Sequence, residues 1–147
     1  MASATRPDAP SLPLQFKYRG LDGREVSSDA ALGRLTVIAF ITTYDIASQA
    51  QARFLSGIQR GFTPRTNCYA FVLDRPESTP LVEAFVHTLD LGYPVAHAPR
   101  EQLAKSSLHL VRSVPSVIVL DRGGHLAWQS RGLVTEDELR AVLQGLD

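Results

Sequence analysis

The chain has 147 residues, 15 Lys+Arg balanced by 15 Asp+Glu, 44% hydrophobic residues and one cysteine. That length suits one domain able to bury roughly 70% of its unfolded surface without a metal or disulfide staple. The charge balance supplies no global field for nucleic acid or an anionic membrane, and one cysteine excludes an internal disulfide, a Cys-x-x-Cys pair and a thiolate zinc site.

In chain order, residues 1–13 carry Pro7, Pro10 and Pro13 and predict a flexible leader, followed by a single domain over 14–147. The leader has no apolar core of the kind a secretory signal needs. No window of about 18 apolar residues occurs, so no membrane span is expected. The chain as it stands reads as cytoplasmic, or as periplasmic or otherwise extracytoplasmic if a signal peptide has been removed.

Leu14 to Tyr18 alternates apolar and polar as a half-buried strand does. An Asp22-Gly23 turn returns it through Arg24-Glu25-Val26, which predicts an N-terminal hairpin. Ser27, Ser28 and Asp29 can cap a short helical turn ended by Gly33. Leu35 to Ile41 is apolar on both faces, the mark of a strand buried inside a helix-covered sheet. Asp45 then N-caps a helix whose apolar stripe is expected at Ala47, Ala50, Phe54 and Ile58, with Gly61 a stop.

Cys68 to Leu73 is a second buried strand, and Leu81 to Leu89 a helix with Leu81, Val82, Phe85 and Leu89 as its stripe. A short strand at 93–97 and a helix near 100–107 follow. Val117 to Leu120 is a third strong strand, Asp121 to Gly124 a tight turn, and Leu126 to Gln129 its hairpin partner. A capping box at Thr135–Glu138 opens the last helix. Alternating strands and helices, then an antiparallel hairpin and a helix, predict an α/β fold with a central mixed β-sheet and helices on both faces.

Three features fall in a fixed order: a buried strand running into Phe40-Ile41-Thr42-Thr43-Tyr44-Asp45-Ile46-Ala47-Ser48, then Val114-Pro115-Ser116 leading into an apolar strand, then the Asp121-Arg122-Gly123-Gly124-His125 turn. In this ordered set the chain resembles the thioredoxin-fold superfamily, and within it the TlpA/ResA-type, AhpC/TSA-like branch, over residues 14–146. The resemblance implies a three-layer sandwich with an extra N-terminal β-hairpin. It matches Phe40, Thr43 and Tyr44 to a Phe-Trp-Ala-Thr-Trp-Cys-x-x-Cys segment and Pro115 to the family's cis-proline. Asp45 and Ser48 then stand where the two redox cysteines would be. The related peroxiredoxin pattern, Pro-x-x-x-Thr-x-x-Cys, retains Thr42 but has Ile38 for its Pro and Asp45 for its Cys.

Thiol–disulfide exchange needs a thiolate, so the departure from the family pattern points to a redox-inactive module with no cofactor. Its ligand-binding residues are expected to be Tyr44, Asp45, Ser48, Val114 and Pro115, around a groove that takes an unidentified protein, peptide or small ligand. Asp45 and Ser48 also have a plain reading as helix-capping residues. The alternative function is a thiol oxidoreductase or peroxiredoxin-like enzyme acting through Cys68, which otherwise reads as packing. A homodimer burying Trp128 on an edge hairpin is a third reading. His87, His97, His109 and His125 show no metal-ligand spacing, so no metal is expected.

Overall fold

Strand β4 (Leu35–Ile41) has all seven residues buried, as its unbroken apolar run requires. The computed structural model describes residues 3–5, 13–62, 65–109, 111 and 113–147. β4 pairs in parallel with β5 (Thr66–Val72), which pairs in parallel with β6 (Val95–His97). On its other side β4 is antiparallel to β7 (Ser116–Leu120), and β7 to β8 (Leu126–Arg131). A three-residue strand, β1 (Ser3–Thr5), adds antiparallel to β8 and completes a sheet ordered β1-β8-β7-β4-β5-β6. The leader expected over residues 1–13 therefore includes one paired segment, and residues 1–2 and 6–12 lie outside those described.

The N-terminal hairpin is a separate two-stranded sheet, β2 (Lys17–Arg19) against β3 (Glu25–Ser27). Its turn places Gly23 at φ +88°, a conformation glycine adopts without a Cβ clash. Leu14 is not part of the strand; its amide donates instead to the Gly124 carbonyl. The Ser27 hydroxyl accepts from the Ala30 amide and caps α1 (Ser28–Ala31).

Two apolar clusters occupy the two faces of the sheet. One joins the odd-numbered β4 residues Val37, Ala39 and Ile41 to helices α2 (Ile46–Phe62), α3 (Thr79–Thr88) and α5 (Glu136–Leu146). The other joins Ile38 and Phe40 to Phe71, Phe16 and Val26 of the hairpin region, and Leu103 of α4 (Arg100–Ala104). Helices thus cover both faces of a mixed sheet, as expected. Among the described residues no helix is long and apolar enough to cross a membrane.

The inward faces of two helices differ from the sequence reading. In α2 the buried residues are Ser48, Gln51, Ala52, Leu55, Gly57, Ile58 and Phe62, whereas Ala47, Ala50 and Phe54 are only half-buried. The phase shifts because two polar side chains find partners inside. Gln51 donates from Nε2 to the Val134 carbonyl at 3.0 Å and accepts the Val134 amide on Oε1 at 2.8 Å. In α3, Val82 and Phe85 are buried but Leu81 is 62% exposed, so the stripe is narrower than apolarity alone suggests. Trp128 is buried in the first cluster, and β8 is not an edge because β1 pairs with it.

Candidate functional site

The chain leaves β4 into a turn that several side chains and amides fasten. The Thr42 amide donates to Ser48 Oγ at 3.1 Å, and Ser48 Oγ donates to Asp45 Oδ2 at 3.0 Å. The Ala47 amide donates to Asp45 Oδ1 at 3.3 Å, and the Gln49 amide to the Asp45 carbonyl at 3.1 Å. Asp45 is therefore the N-cap of α2, with its negative charge at the favoured end of the helix dipole. Ser48 is buried and its hydroxyl is fully occupied within the turn. Tyr44 and Ile46, on either side of Asp45, are 77% and 83% exposed.

Facing this turn is the segment before β7. The Phe40–Ser116 pairing of β4 with β7 sets the Val114–Pro115 bond beside the end of β4, and that bond is cis. Pro115 is buried and Val114 half-buried, packed on the second apolar cluster. The Pro115 carbonyl accepts the Gly132 amide at 2.8 Å, and the Ser116 hydroxyl donates to the Ser113 carbonyl. Of the five expected ligand-binding residues, Tyr44 is thus open, Asp45 and Val114 are partly open, and Ser48 and Pro115 form the support beneath.

Three features here are not evident from sequence patterns. Asp74, just after β5, is only 4% exposed, and its carboxylate accepts the Thr43 amide on Oδ1 at 3.0 Å and the Thr43 hydroxyl on Oδ2 at 2.5 Å. His97 Nε2 lies 2.8 Å from the Asp74 carbonyl, and His97 Nδ1 3.0 Å from Thr79 Oγ1. The Thr42 hydroxyl is buried with no hydrogen-bond partner among the described residues. An acidic residue closing the apolar run Phe71-Val72-Leu73 was the only sequence signal for the first, since a buried carboxylate needs hydrogen bonds to stay there.

The one thiol is remote from this turn. Cys68 lies on β5 opposite Val37, 5% exposed inside the first apolar cluster. Burial pushes its pKa up to about 12, so the thiolate is strongly disfavoured at neutral pH. Among the described residues no three metal-ligating side chains gather; His97 is engaged as above, and His125 Nδ1 is 3.4 Å from Asp121 Oδ1.

Comparison with known proteins bears on the fold. No family model matches the chain, and no curated protein matches it by sequence. Solved structures do match. A DsbF homologue from Corynebacterium diphtheriae superposes with a TM-score of 0.87 at 18% identity, covering 97% of this chain and 92% of that one. A secreted thiol-disulfide isomerase from Corynebacterium glutamicum gives 0.84 at 17% identity, covering 97% and 90%. A thiol:disulfide interchange protein of the thioredoxin family from Chlorobium tepidum gives 0.81 at 16% identity, covering 95% and 98%. The fold is thioredoxin-like, and the chain lacks any Cys-x-x-Cys pair.

Proposed function

We propose that the protein is a redox-inactive thioredoxin-like module that binds an extended peptide or protein segment in the groove between the Tyr44–Ser48 turn and the Val114–Pro115 loop. The observation that carries this reading is the occupancy of the turn. The two positions matched to redox cysteines hold Asp45 and Ser48, and their polar atoms are engaged in capping α2, while Tyr44 and Ile46 beside them stand exposed. A carboxylate and a hydroxyl form no mixed disulfide, so nothing at this position can attack a substrate disulfide. Exposed apolar side chains beside backbone at a loop suit an extended chain, which pairs through its main chain and seats alternate side chains.

The three solved structures compared above are described as a DsbF homologue, a thiol-disulfide isomerase and a thiol:disulfide interchange protein. An activity of that class in this chain would have to use Cys68, and a buried thiol held protonated weighs against it. An insulin-reduction assay tests the redox part: turnover should equal that of dithiothreitol alone. Turnover above that level, abolished by Cys68→Ser, overturns the proposal. The binding part is tested by titrating isotopically labelled protein with a library of extended peptides. Saturable shifts at Tyr44, Ile46 and Val114 that vanish in Tyr44→Ala are expected, and shifts that Tyr44→Ala leaves unchanged would place the binding surface elsewhere.

A further inference from the structure

A cleft of about 1060 Å³ opens at the carboxyl ends of β4 and β5, on the side of β4 away from β7. It arises from the chain path. After β5 the chain turns onto the α2 face as α3, and after β6 onto the opposite face as α4, so the two departures leave the sheet end uncovered between them. Crevices at the carboxyl ends of parallel strands are where open α/β sheets take ligands. Among the described residues, none of the Val114–Pro115 loop lines this one, so it is separate from the groove proposed above, with Tyr44 as the shared wall.

We propose that this cleft binds a small amphipathic anion, a ligand with an apolar body and one carboxylate or phosphate head. The apolar part of the lining comes from Tyr44, Leu73, Leu81, Pro76 and Pro99. Leu81 stands 62% exposed toward this space while Val82 and Phe85 of the same helix are buried, so α3 offers the cleft an apolar side chain that the core does not use. Three cations, Arg75, Arg100 and Lys105, line the same cleft, and no ion pair forms on any of them among the described residues. Guanidinium groups match carboxylate and phosphate oxygens in fork geometry.

Three acids also line the cleft, and they narrow the ligand class. The Asp74 carboxylate is buried and turned to the Thr43 amide and hydroxyl, so it is not presented as a free opposing charge. Glu77 and Glu101 are exposed, so the lining is formally neutral, three acids against three cations. What favours an anion is that one of those acids is buried against Thr43 while all three cations are exposed and unpaired among the described residues. That arrangement suits a single anionic head and disfavours polyanions such as nucleic acid or polyphosphates.

The test is an amide-shift titration of the full chain with octanoate, octyl phosphate, octanol, octylamine and inorganic phosphate. Octanoate or octyl phosphate should saturate shifts at Thr43, Asp74–Ser78 and Arg100–Lys105, with octanol, octylamine and inorganic phosphate each about tenfold weaker or more. Saturation by octanoate alone identifies a carboxylate head, and by octyl phosphate alone a phosphate head. The exposed double variant Arg100→Gln with Lys105→Gln should weaken binding by about fivefold or more with a well-dispersed spectrum, and Leu81→Asn should weaken it independently. Absence of saturable shifts at these amides, equal binding of octanoate, octanol and octylamine, or unaltered affinity in the double variant overturns the proposal. The Val114 amide reports the neighbouring groove, so either site can fail alone.

Discussion

The start of α2 and the middle of β5 would give a sulfur atom opposite fates. At the start of α2, residue 45 caps and residue 48 sits in the first turn of a 17-residue helix, where the dipole and the first-turn amides favour an anion and the side chains of Tyr44 and Ile46 reach solvent. On β5, Cys68 is surrounded by apolar side chains and its proton is held to about pH 12. The chain has its thiol at the inert place and a carboxylate with a hydroxyl where the helix start favours an anion. Reactivity is thus a property of the position, and an inventory of residue types cannot report it.

The largest expected effect comes from placing sulfur at the helix start. Asp45→Cys with Ser48→Cys should form a disulfide on oxidation and reduce insulin at about tenfold or more above the dithiothreitol background, measured by turbidity. An inert double variant would show that the surrounding turn does not support redox chemistry even with two cysteines in place. The same variant loses the Ser48 acceptor of the Thr42 amide, so its melting temperature should fall by an amount reflecting about 1–3 kcal/mol.

At the inert place the expected effects concern stability. Cys68→Ser puts a hydroxyl into an apolar cluster and should cost about 1–3 kcal/mol, read as a lower urea midpoint with unchanged m. A smaller effect is set by pH. Below the unfolded value of 9.0 both states keep the Cys68 proton; between 9 and about 12 the unfolded chain releases it and the folded chain does not, so this contribution to stability is lost as pH rises. Cys68→Ala should abolish that part of the alkaline slope, up to about 1.4 kcal/mol per pH unit, in paired urea titrations of the two proteins. The smallest effect belongs to Tyr44→Ala, which should change stability by no more than about 0.5 kcal/mol because the ring is exposed, while removing peptide binding in the groove.

How much of this was legible in the sequence depended on whether apolarity or hydrogen bonding decided the position. β4 was readable to its ends because all seven of its residues are buried and six of them are apolar. The hairpin with its Asp-Gly turn, the Thr135–Glu138 capping box and Asp45 as an N-cap rest on local chemistry that a few adjacent residues contain. The face of α2 was misphased because Ser48 and Gln51 are buried for partners contributed by Thr42 and Val134, and a periodicity of apolar residues does not register a satisfied amide. Leu81 was assigned to the core for the converse reason: its apolarity says nothing about which of two walls it faces. Asp74 illustrates both limits, since its burial depends on Thr43, 31 residues earlier.

The bridge from Gln51 to Val134 joins parts of the chain that are made 83 residues apart. Gln51 leaves the ribosome 83 residues ahead of the backbone it holds, and α2 with β4 and β5 can pack while both ends of that amide still face water. The antiparallel neighbour of β4, strand β7, is made only from residue 116 onward. The last helix carries its own cap, so what it draws from the older half of the chain is a place to dock: one side chain that takes the Val134 amide and carbonyl together. A chain stopped before residue 134 would leave Gln51, which is buried in the folded protein, with both of those hydrogen bonds unmade.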